Sequence, residues 1–146
     1  MRMKIENRRR LRAGLWGVAS LFACLAAAGC DDQGPNVDTL RELDRNRFRW
    51  QLLGIDSYRY AVERICYCGL AGPVRVTVLD GTVESRVFVE SGDTVPPEGA
   101  GSYPSVDGLF EVILDAIQRD AFRIDVTYAP DTGVPLDIFI DYEENV

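Results

Sequence analysis

Cys66 and Cys68, with Tyr67 between them, are the best-placed reactive groups in this 146-residue chain. Two thiols that close have three uses: a disulfide, a reversible redox pair, or a soft seat for an ion such as Cu(I). On an extended strand, residues two apart face the same way, with Cα atoms roughly 6.6 Å apart, near the upper limit for a bridge. A disulfide therefore requires the backbone to tighten, which the following Gly69 to Pro73 turn allows. Closing a three-residue loop contributes only about 1.6 kcal/mol by the chain-entropy relation, so such a bridge is a poor staple. Outside the cytoplasm a structural disulfide is the first reading. Thiol redox and copper handling stand beside it.

Other chemistry has little to draw on. The chain has no histidine, and its single lysine is Lys4. The commonest general base, the imidazole metal ligand and the Schiff-base nucleophile are therefore missing from residues 30–146. No Gly-x-Ser-x-Gly elbow, phosphate-cradling glycine loop or zinc-type cysteine spacing occurs. Asp137 and Asp141 share a strand face, but about 13 Å of strand separates them, too far for one calcium ion. With Glu143 and Glu144 they read as a solvated acidic face. No catalytic residue, cofactor or metal ligand set is assigned, and an enzyme is not expected. Trp50, Tyr58 and Tyr60 have the types to line a partner-binding groove, but their helical and alternating spacing reads first as core.

The N-terminal segment has a different character. Lys4, Arg8, Arg9, Arg10 and Arg12 precede an uncharged run from Ala13 to Gly29, which ends in Leu25-Ala26-Ala27-Ala28-Gly29-Cys30. This arrangement resembles the signal peptide and lipobox of bacterial lipoproteins, with Ala27 where leucine is usual. The resemblance implies cleavage between Gly29 and Cys30, a diacylglyceryl group on the Cys30 thiol and, often, acylation of the new amine. An ordinary secretory cleavage after Ala26 to Ala28 and an uncleaved spanning helix are the alternatives. Two or three acyl chains hold a protein stably at a bilayer. Asp31 resembles the signal that retains a lipoprotein at the periplasmic face of the inner membrane in enteric bacteria. The expected organisation is a signal peptide over 1–29, an acidic flexible tether over 30–38 and one domain over 39–146.

Residues 1–29 hold six of the 16 basic and one of the 23 acidic groups, leaving ten arginines against 22 carboxylates, a net of −12. That surface repels phosphate backbones, so nucleic acid is excluded as a partner. The expected partners are the membrane, through the lipid anchor, and an unidentified protein.

Thr39 is the predicted cap of a helix running to about Leu53, with Leu40, Leu43, Trp50 and Leu53 near one face. Tyr58 to Tyr67 alternates as a strand and is followed by Val74 to Leu79. Asp80-Gly81 is a two-residue hairpin signal, leading to a third strand, Thr82 to Glu90. Gly92 to Pro104, with three prolines and three glycines, reads as a long irregular loop. Ser105 caps the next helix, striped by Val106, Leu109, Phe110, Ile113, Leu114 and Ile117. Phe122 to Tyr128 and Leu136 to Tyr142 alternate around Pro130-Asp131-Thr132-Gly133 as a final hairpin. The expected fold is α+β: one antiparallel sheet of about five strands, a meander plus a hairpin. One helix lies N-terminal to it and one between strands three and four.

The domain also resembles a family of small bacterial lipoproteins defined only as a domain of unknown function. The matching residues are Trp50, Ser57-Tyr58-x-Tyr60, Cys66-Tyr67-Cys68, Pro73 to Val76 with Asp80-Gly81, Val106-Asp107-x-Leu109-Phe110, and Gly133 to Asp141. The resemblance brings no activity. The functional expectation is a membrane-anchored, non-catalytic binding or envelope-structural module, with a thiol redox or Cu(I)-handling lipoprotein as the alternative.

Overall fold

A computed structural model describes residues 36–65 and 72–143. Helix α1 spans Val37–Leu52, strand β1 Tyr58–Val62, β2 Val74–Leu79 and β3 Thr82–Phe88. The short helix α2 covers Pro97–Ala100, α3 covers Val106–Gln118, β4 Arg123–Tyr128 and β5 Pro135–Asp141. The element order is the α+β order expected from the sequence.

Helix α1 starts at Val37, two residues before the expected cap, with Asp38 in its positive first turn. Its inner face is Leu43, Asn46 and Trp50, with Leu40 half-buried beside them. Leu53 lies beyond the helix and is exposed. Helix α3 follows its stripe: Val106, Leu109, Phe110, Ile113, Ala116 and Ile117 are buried. The Ser105 hydroxyl accepts the Gly108 N–H at 3.1 Å, satisfying one of the free donors of the first turn. The faces of α1 and α3 pack together and against the inner face of the β4–β5 hairpin, forming one core. Arg47 on α1 is paired with Glu111 on α3 at its solvent rim.

The Asp80-Gly81 turn forms as predicted, with φ of 48° and 73°, and joins β2 to β3. β2 runs between β1 and β3, both antiparallel to it. Three departures have physical causes. First, the strands form two ladders, β1–β2–β3 and β4–β5, rather than one five-stranded sheet. The stripe of α3 is spent on α1 and the hairpin, so the buried Val74, Val76 and Val78 of β2 need another cover. The chain between β3 and α3 supplies it. Val95 and Tyr103 pack on those valines as a second core, α2 lies between them in sequence, and the Val95 N–H donates to the Arg86 carbonyl at 2.9 Å. The Gly92 to Pro104 segment is thus a packed layer, not a free loop.

Second, β1 stops at Val62, paired with Val74, and Glu63, Arg64 and Ile65 are exposed and outside the strand. Third, Leu136 is 66% exposed although it alternates with Ile138 and Ile140. The register slips there: Tyr128 opposes Pro135 and Thr127 opposes Asp137, which leaves Leu136 as an extra residue outside the alternation.

Candidate functional site

The sequence candidates fall in three places. Gly29 and Cys30 lie outside the described residues, as do Cys66 and Cys68. The cysteine pair belongs to residues 63–73, the connection between Val62 and its partner Val74. β1 ends at Val62, and Glu63 to Ile65, the described residues ahead of the pair, are not strand. Ile65, just before the pair, is 98% exposed.

Trp50, Tyr58 and Tyr60 are brought together, but inside the protein. The Trp50 and Tyr58 rings meet edge-to-face at 5.2 Å, and Tyr60 lies 6.3 Å from Tyr58. Strand alternation turns both tyrosines toward the cores, and they touch both of them. Their hydroxyls end at the start of α3. Tyr58 accepts the Val106 N–H at 2.9 Å, and Tyr60 donates to the Pro104 carbonyl. From β3, Arg86 Nε donates to the Tyr103 carbonyl at 2.6 Å. Residues 103–106 are therefore clamped by three side chains from two strands. Burial raises the Tyr60 hydroxyl far above the ordinary phenol range, Tyr58 adds to the effect, and Arg86 opposes it. Burial also raises Tyr58, against the stabilising donation from Val106. Both stay protonated near neutral pH and hold structure rather than exchange protons.

The carboxylates stay dispersed. Asp137 and Asp141 lie on one face of β5, opposite Thr127 and Arg123. Arg123 pairs with Asp125 at 2.7 Å and stands over the Phe139 ring. Among the described residues, no three His, Cys, Asp or Glu side chains gather where they could hold a metal ion.

Sequence reasoning missed two groups. Asn46 is buried mid-helix, its amide donating to the Glu42 carbonyl at 2.9 Å and its side-chain oxygen accepting from Arg49 at 3.0 Å. Its place on the Leu43–Trp50 face was the available signal. Tyr103 is fully buried, with a hydroxyl that has no hydrogen-bond partner among the described residues. Its glycine- and proline-rich surroundings hid it.

An aromatic-clamped α+β domain with two small cores is thus the class of protein defined here. The chain belongs to a family of unknown function (DUF6174), which matches over residues 42–146. No curated protein and no solved structure matches it.

Proposed function

We propose that this protein is a lipid-anchored, extracytoplasmic member of its family, acting at the cell envelope as a non-catalytic binding or structural module. The observation that carries this reading is the Leu25 to Cys30 box, which follows a cationic start and an uncharged run and stands just ahead of the family domain. The strongly acidic composition after residue 30 suits a domain kept soluble beside a membrane. Among the described residues, no helix is long and apolar enough to cross a membrane; in this reading the acyl group supplies the attachment. The deciding experiment is intact-mass analysis of the protein purified from membranes. A chain beginning at Cys30 and carrying acyl mass supports the reading; a full-length, unacylated chain in the cytosol removes it.

The Cys66-Tyr67-Cys68 spacing favours one alternative, a redox or Cu(I)-handling lipoprotein. Replacing both cysteines by serine tests it: unchanged thiol reactivity, copper content and phenotype would remove it.

A further inference from the structure

Helix α1 carries two stripes. Leu43, Asn46 and Trp50 face the core. Arg41, Arg45, Phe48 and Leu52, spaced four, three and four residues apart, lie on the opposite side, since 100° per residue puts the two sets about half a turn from each other. All four are exposed, Phe48 by 61% and Leu52 by 69%. Ile55, just past the helix, is exposed as well. A lone exposed leucine is ordinary, but Phe48 and Leu52 together at one end of an exposed stripe, with Arg45 beside them and Arg41 paired to Asp38 at 3.0 Å, match an interfacial helix.

Two further observations select its occupant. Residues 36–64 carry six arginines against five carboxylates, whereas residues 65–146 carry four against fifteen. The helical stripe therefore sits in the part of the domain that an anionic surface repels less. Only five residues lie between Cys30 and Asn36, a reach of roughly 20 Å over the six steps, and α1 itself is about 24 Å long. An acyl group on Cys30 would hold the helix within its own length of the bilayer.

The geometry points to the outer face of α1 as a membrane-contact surface, with Phe48 and Leu52 at the acyl boundary and Arg45 at the headgroups. This rests on the lipid-anchored reading above and adds an orientation to it: α1 against the bilayer and the acidic hairpin away from it. Phe122 and Leu136 are also exposed, but they lie in the acidic part of the chain and serve as internal controls.

Hydroxyl-radical footprinting of the processed protein, in phosphatidylglycerol–phosphatidylcholine vesicles and in non-ionic detergent, tests the orientation, with intact mass recorded on the same sample. Oxidation of Phe48 and Leu52 is expected to fall about threefold or more on vesicles, with Phe122 and Leu136 unchanged. Leu52→Glu, a change at an exposed site, should keep acylation and vesicle flotation while restoring Phe48 oxidation. Acylated, vesicle-bound protein whose Phe48 and Leu52 oxidise like Leu136 would overturn the orientation and leave the anchor standing. Protection that rises with protein concentration and accompanies a dimer mass would place a second copy on the stripe and also overturn it. Absence of acyl mass would remove the anchored reading and this inference together.

Discussion

Gly133 packs against the backbone of Asn46, so closely that a β-carbon at residue 133 would collide with the Asn46 carbonyl oxygen. The hairpin turn is thereby seated on the middle of α1. Gly133 also has a φ of 77°, a conformation costly for residues with a side chain. Gly133→Ala is expected to destabilise the fold by about 2–4 kcal/mol, because neither backbone can yield alone. Chemical denaturation checks this. A change below about 0.5 kcal/mol would mean that the turn does not rest on the helix.

The tyrosine clamp should be measurable one hydroxyl at a time. Tyr58→Phe leaves the Val106 N–H without its side-chain acceptor, and Tyr60→Phe leaves the Pro104 carbonyl without its donor. Each is expected to cost about 1–2 kcal/mol. Faster amide exchange in the first turn of α3 should accompany the Tyr58 change and be absent in a surface control such as Thr127→Ser.

Alkaline pH should act through the same phenols. Burial raises Tyr58 and Tyr60 above the ordinary phenol value, and Tyr128, buried near Glu42, is pushed up to about 12. The unfolded chain loses these protons first. Stability from the protonated phenols is therefore complete below about pH 10 and declines as the pH rises from there through about 12. Denaturation midpoints across that range, compared with Tyr128→Phe, measure it. The variant should lose less stability than the wild type.

Tyr103 should separate its ring from its hydroxyl. The ring fills the second core, while the buried hydroxyl has no partner among the described residues. Tyr103→Phe is expected to be neutral or to stabilise by up to about 1 kcal/mol, and Tyr103→Ala to cost about 3–5 kcal/mol. Thermal denaturation of the two variants side by side decides it. A costly Phe variant would mean that the hydroxyl is satisfied.

Replacing Cys66 and Cys68 by serine is expected to lower stability by less than about 2 kcal/mol, because so short a loop constrains the unfolded chain weakly. A larger loss in denaturant titrations would show that the pair staples the domain.

The sequence by itself determined the elements whose signals are local. The Ser105 cap, the stripe from Val106 to Ile117, the Asp80-Gly81 turn and the alternation of Tyr58 and Tyr60 all follow from nearest-neighbour geometry. What only the tertiary structure decided depends on partners far along the chain. Val95 and Tyr103 look like loop residues until the uncovered valines of β2 are seen to require them. Leu136 fits the inward alternation until the register slip opposite Tyr128 places it in solvent. Tyr58 and Tyr60, first candidates for a groove, become the clamp on α3 because their hydroxyls meet residues more than forty positions away. Periodicity along a chain sets which side of an element is apolar; which other element covers that side is settled by competition among faces for burial.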